Sequence, residues 1–266
     1  MTEGAPTGQV RRRRFLAGLS LFTVGGVAGT AVGYAAEQAN AAESPTARTE
    51  ILNSPRAYEA AVTWRTEPSA RVIALTIDHG PTRECTPRVL AILRNHGASA
   101  TFFIVGARAE GDPGALARAA DEGHELANHT WLHSDLTQHD QSFDAESLER
   151  THALIAGQTG RAPTLCRPPY GRIDSVGLSV CAEMHYRVML WSNHVTGSDA
   201  AVDVNNVLRE ASPGGIVLAH DGGPEPNASL MRQLDRLVGT MKDRGYTFVT
   251  VSDLLAAPGT TADTTG

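Results

Sequence analysis

The chain has 266 residues, of which 41% are hydrophobic, 20% charged and 5% aromatic, with a formal net charge of −6. The apolar fraction is large enough to build a core, which excludes wholesale disorder, and the negative balance argues against holding nucleic acid by bulk charge. Three cysteines, Cys85, Cys166 and Cys181, are too few for a disulfide framework, and none stands in a C-x-x-C pattern.

Arg11 to Arg14 precede an apolar, glycine-containing run from Phe15 to about Ala36, and Ala39-Asn40-Ala41 offers small residues where a signal peptidase reads. This order predicts a secretory signal over 1–41. Arg12-Arg13-Arg14-Phe15-Leu16 resembles a twin-arginine signal. Cleaved, the chain is secreted without a membrane span; uncleaved, the run anchors it in a membrane. Export also brings oxidising surroundings, where Cys166 can pair with Cys181; three buried free thiols are the equal alternative. Residues 42–70 read as a polar, proline-punctuated linker with a short helix near Ala57–Thr63. Residues 256–266 read as a disordered tail, which leaves one domain over 71–255.

Within that domain, Val72–Ile77 is a β-branched strand ending at Asp78-His79-Gly80-Pro81. Thr86 as N-cap and Pro87 at the first helical position open a helix to His96, stopped by Gly97. Ala100–Val105 is a strand, Asp112-Pro113 starts a helix ending before Gly123, and His124–Asn128 is a short strand. Ser142–Gly157 is an amphipathic helix. Further strands are expected at Leu165–Arg167, Arg187–Trp191, Gly215–Ala219 and Thr247–Val251, with a long helix over Ser229–Arg244. Repeated β-α alternation predicts an α/β fold: a distorted (β/α) barrel of about seven parallel strands. No G-x-G-x-x-G follows the first strand, so a dinucleotide-binding fold has no support.

The ends of these strands carry the reactive residues: Asp78 and His79; His129 and His133; Arg167 to Arg172; Trp191 to His194; His220 and Asp221. In a parallel barrel they gather on one face. His129 and His133, four apart, can share a metal, and His79 makes a third ligand, leaving the open position typical of a catalytic zinc. Asp78 is the candidate base, His220 the general acid, and Arg167 the ion-pair partner of Asp78. The Tyr170 backbone N–H is a candidate oxyanion donor. Trp131 and Trp191 are candidates for a sugar groove, with core packing the stronger reading for Trp191.

These segments resemble the polysaccharide deacetylase family (carbohydrate esterase family 4, the NodB-homology domain), chiefly in Gly123–Thr137 and in Arg167-Pro168-Pro169-Tyr170. The resemblance implies a distorted barrel, a divalent metal (zinc first; nickel, cobalt or copper as alternatives) and removal of N-acetyl or O-acetyl groups from a glycan such as peptidoglycan or a chitin-type oligosaccharide. It places Asp78 on the catalytic base, His129 and His133 on metal histidines, Arg167 on the arginine that tethers the base, and His220 on the acid. Two departures stand out. The family's Thr-Phe-Asp-Asp-Gly-Pro reads Thr76-Ile77-Asp78-His79-Gly80-Pro81 here, so a metal-binding acid is replaced by imidazole. Its Trp-Ser-x-Asp-Thr-x-Asp-Trp reads Trp191 to Ser198, without the acid that tunes the catalytic histidine; Asp199 or Asp221 are the candidates to stand in, and the alternative is that His194 joins the site as a proton carrier or extra ligand. The competing functions are the same site turned to another amide, ester or small metabolite, and a catalytically dead glycan-binding protein. A monomer is the default expectation.

Overall fold

The computed structural model describes residues 59–195, 199–221 and 228–260. The order of elements is β1 (Val62–Thr63), β2 (Val72–Asp78), α1 (Thr86–His96), β3 (Thr101–Ile104), α2 (Gly106–Glu110), α3 (Pro113–Asp121), β4 (Glu125–Asn128), α4 (Gln141–Thr159), β5 (Leu165–Cys166), a 3-10 turn (Pro169–Gly171), α5 (Ser175–Glu183), β6 (Arg187–Met189), β7 (Asn193–His194), α6 (Ala200–Glu210), β8 (Ile216–His220), α7 (Ala228–Asp243), β9 (Thr247–Val249) and α8 (Val251–Ala256). The expected signal over 1–41 lies outside the described residues. No helix among the described residues is long and apolar enough to cross a membrane.

The strands pair in the order β1-β6-β5-β4-β3-β2-β8-β7, all in parallel. β9 pairs with the N-terminal half of β2, on the side that β3 occupies further along, because Ala74 and Thr76 both have β8 on their other edge. A single antiparallel bridge between Arg65 and Gly215 links the segment after β1 to the start of β8. The result is the distorted α/β barrel that the alternation predicts, with the two-residue strands β1 and β7 added.

Side-chain alternation along the strands divides the molecule into two layers. Ile73, Leu75, Ile77, Phe102 and Ile104 point outward and pack against Leu90, Leu93, Val204, Leu234 and Val238 of the covering helices. Ala74, Phe103, Ala127, Leu165, Met189 and Ile216 point inward, where Val251 and Leu254 of α8 join them. Following the inward parity to the strand ends leads to Asp78, His129, Arg167, Trp191 and His220. One binary pattern therefore fills the barrel with apolar side chains and places polar ones at its C-terminal mouth.

Several local expectations are corrected. The short helix near Ala57–Thr63 is absent from its described part, where Val62 and Thr63 pair with Val188 and Met189. Cys85, not Thr86, is the N-cap of α1, and Thr86 lies inside the helix, its hydroxyl turned to Asp221. The strand expected over Thr247–Val251 stops at Val249; Thr250 then caps α8, its hydroxyl accepting from the Asp253 N–H at 3.1 Å. All three cysteines are buried free thiols, and a hydrogen bond between Cys166 and Cys181, with burial, raises the Cys166 pKa.

Candidate active site

Asp78 ends β2 and is 3% exposed; Arg167, just past β5, is fully buried. Arg167 Nη1 donates to Asp78 Oδ1 at 2.7 Å and to Thr76 Oγ1 at 2.8 Å. Its Nε and Nη2 donate to the carbonyls of Met189 and Leu190 at 3.1 and 3.0 Å. The guanidinium lies over the Phe103 ring, 4.0 Å from its centroid. Burial pulls the Arg167 pKa down and Asp78 opposes the shift. A charge this deep is tolerable only because it is both paired and hydrogen-bonded.

The second oxygen of Asp78 is 3.6 Å from His129 Nε2. His129 is 1% exposed, and its Nδ1 sits 2.7 Å from the Arg167 carbonyl oxygen. A carbonyl can only accept, so Nδ1 carries the proton and the Nε2 lone pair is left free. His133 and His79 complete a cluster in which one ligand atom of each imidazole lies within 4.8 Å of the others. Ring centroids are 4.5 Å apart for His79–His133, 4.8 Å for His129–His133 and 5.7 Å for His79–His129. His129 Nε2 and His133 Nε2 are buried without a hydrogen-bond partner.

Burial lowers all three imidazole pKa values; for His79 the charges of His220, His129 and His133 add to it and bring it to about 3. The three rings are neutral near pH 7. Converging neutral nitrogen donors with orphaned lone pairs fit a divalent transition metal, and the count leaves a coordination position for substrate or water.

The backbone is bent to make this cluster. His79 (φ 77), Thr130 (φ 67), His133 (φ 61) and Tyr170 (φ 60) are left-handed, four of the five non-glycine residues with positive φ among those described. Each costs about 1–3 kcal/mol, and local bonds hold them. The Asn128 carboxamide accepts from the Thr130 N–H at 2.9 Å, and Arg108 Nη1 donates to the His79 carbonyl at 2.7 Å. The exposed Tyr170 side chain meets His133 edge-on, 4.7 Å between ring centroids.

His220 ends β8 in register with Asp78, and its ring centroid is 4.6 Å from that of His79. Burial lowers its pKa, while Asp78 and a hydrogen bond between its ring and the Val195 backbone raise it. Asp221 is buried; its carboxyl accepts from the Thr86 hydroxyl, and burial pushes its pKa up to about 7. Gly80 is required here, because a Cβ on it would fall 2.5 Å from Asp221 Oδ2.

The structure therefore brings Asp78, His79, His129, His133, Arg167, Tyr170 and His220 together. His194 is exposed in β7, outside the three-imidazole cluster, and reaches His220 only by its charge. Asp199 is removed from the set of substitutes for the missing acid: it caps α6, accepting from the Val202 N–H at 3.2 Å. Trp131 is 8% exposed beneath the Arg150 guanidinium, which lies 3.6 Å from its ring centroid, so it is core rather than groove. Trp191 is half-buried against Gly171. Arg108 and Asn128 escaped the sequence reading; Asn128 directly precedes His129, and that adjacency was the available signal.

An α/β barrel with a buried carboxylate–arginine pair facing clustered imidazoles at its C-terminal mouth defines a class of hydrolase-like sites. A family model described as polysaccharide deacetylase matches residues 65–189. The chain is 36% identical over 200 residues to a peptidoglycan-N-acetylglucosamine deacetylase of Bacillus cereus, covering 73% of this chain and 92% of that protein. It belongs to the polysaccharide deacetylase family. Among solved structures it is similar to the Bc1960 peptidoglycan N-acetylglucosamine deacetylase in complex with 4-naphthalen-1-yl-N-oxidanyl-benzamide (TM-score 0.70, 31% identity, 74% of this chain and 94% of that one). It is also similar to BA3943 of Bacillus anthracis, described as a CE4 family pseudoenzyme (TM-score 0.66, 25% identity, 74% and 69%).

Proposed function

We propose that the chain is a metal-dependent hydrolase that removes N-acetyl groups from a peptidoglycan-type glycan. The observation that carries this reading is the buried Asp78–Arg167 pair, whose free carboxylate oxygen faces His129 at 3.6 Å. His79, His129 and His133 would hold the divalent ion, zinc before nickel, cobalt or copper. Such an ion supplies Lewis acidity at the acyl oxygen and makes the attacking water more acidic.

Asp78 removes a proton from the attacking water through the oxygen that Arg167 does not occupy. Arg167 fixes the orientation of that carboxylate through its 2.7 Å hydrogen bond to Oδ1. The proton lost by water is the one the leaving nitrogen needs, and His220, beside Asp78 on the next strand, is the route to it. The C–N bond breaks as that proton arrives, releasing acetate and a free amine. The Tyr170 backbone N–H, set on its left-handed turn, is assigned to the developing oxyanion. His194, exposed on β7, lowers the His220 pKa and so does not replace the missing acid.

Residues 71–255 are the catalytic domain on this reading. Residues 1–41 are a twin-arginine-like export signal that delivers the protein outside the cell, and the chain acts as a monomer. The deciding experiment is mass spectrometry of N-acetylglucosamine oligomers and peptidoglycan fragments incubated with the zinc-loaded chain. Loss of one acetyl group per event, abolished in Asp78→Asn, supports the proposal. Full zinc binding with no acetyl loss from any substrate moves the chain to a non-catalytic glycan-binding role or to a different acyl substrate.

A further inference from the structure

Several formal charges around the barrel mouth are matched. Asp78 is paired with Arg167, Arg172 with Asp135 at 3.1 Å, and Arg150 with Glu110 at 3.6 Å. Arg108 is different. It is exposed on α2, directly after β3, and none of the ion pairs among the described residues includes it. It is not free to wander, because one guanidinium nitrogen is fixed 2.7 Å from the His79 carbonyl. α2 is itself clipped to the histidine loop, the Gly106 and Ala107 N–H groups donating to the Thr130 and Trp131 carbonyls at 3.1 and 2.9 Å.

A pre-oriented guanidinium with spare donors and no carboxylate partner is a receptor for an anion. We infer that Arg108 is a specificity-determining residue that binds a carboxylate carried by the substrate close to its acetamide. This deepens the deacetylase reading and rests on it for the identity of the site. The chemistry fits either an acetamido sugar bearing a carboxylate ether on the neighbouring carbon or an N-acetylated α-amino acid. Arg108 takes no part in the bond-breaking steps.

The test is calorimetric titration of the zinc-loaded chain, Arg108→Gln and Arg108→Lys. The probes carry a methylsulfonamide in place of the acetamide so that nothing turns over: a muramyl oligosaccharide, its lactyl methyl ester, and an N-sulfonyl α-amino acid with its ester. The free acid is expected to bind roughly tenfold more tightly than the matched ester. Arg108→Gln should bring that ratio to about one, Arg108→Lys should keep most of it, and added salt should weaken only the acid. A larger acid preference for the sugar or for the amino acid identifies the source. Equal binding of acid and ester, a preference that survives in Arg108→Gln, or no binding of any probe overturns the inference. Acetyl release from the true acetamides is read separately. A chain that prefers acids but releases no acetyl sinks the deacetylase reading alone, and one that deacetylates acid and ester equally sinks the Arg108 inference alone.

Discussion

Asp78 and His220 occupy the same rung of the ladder between β2 and β8. The two residues assigned to take and to deliver a proton are thus held at a spacing set by backbone hydrogen bonds rather than by a loop. A rigid pair that works as a unit should show non-additive losses. Asp78→Asn and His220→Ala are each expected to lower acetyl release by about 10²- to 10⁴-fold. The double variant should fall little further. Steady-state rates on one glycan, with zinc content measured in parallel, check this.

Removing one half of the buried ion pair should cost stability as well as activity. Asp78→Asn leaves the Arg167 guanidinium fully buried with no counter-charge. Unfolding in urea should show a loss of about 3–5 kcal/mol. Arg167→Met combined with Asp78→Asn should recover part of it, because the uncompensated charge is gone.

Zinc should stabilise the chain through the imidazole cluster. At a hundredfold excess over Kd the gain is about 2.7 kcal/mol, read as a rise in Tm. His129→Ala should abolish the rise. His79→Asp should keep it while shifting competition away from copper and nickel and toward zinc, because a carboxylate oxygen is a harder donor than imidazole nitrogen. A set of dissociation constants for the three metals in both chains gives the answer.

The pH dependence of the metal-free chain follows from His79. Its folded pKa, about 3, lies below the ordinary 6.5, so the folded state binds fewer protons than the unfolded state between these values. Its stabilising contribution is complete above pH 6.5 and is lost as the pH falls toward 3. Asp221 works the other way: its carboxyl, raised from 3.8 to about 7, favours the folded state below 3.8 and loses that contribution as the pH rises to 7. Urea midpoints measured between pH 3 and pH 7 should show the wild-type advantage over His79→Gln shrinking on acidification. The wild-type deficit against Asp221→Asn should grow on alkalinisation.

Much of the barrel was legible because its long elements carry a period. Val72–Ile77, Phe102–Val105 and Ile216–Ala219 are short, mostly apolar runs bounded by glycine or polar residues, and a buried parallel strand reads that way. β1 and β7, two residues each, carry no period at all. α5 and α6 did carry a signal. Asp174 and Asp199 are N-caps, and Val176 with Val180, and Ala200 with Val204, Val207 and Leu208, stand at helical spacing behind them. α8 was hidden because Val251 continues the β-branched run of the preceding strand.

The sequence by itself determined which chemical groups the chain has to offer, and on which strand ends they stand. Alternation forces every second side chain inward, so the positions of Asp78, His129, Arg167 and His220 followed once the strands were drawn parallel. Only the tertiary structure decided how those groups are tuned. The tautomer of His129 depends on the Arg167 carbonyl, the neutrality of His79 on burial among other imidazoles, and the isolation of Arg108 on where every carboxylate ended up. These are sums over neighbours distant in sequence, and their dependence on distance and solvent exclusion has no counterpart in the order of residues along the chain.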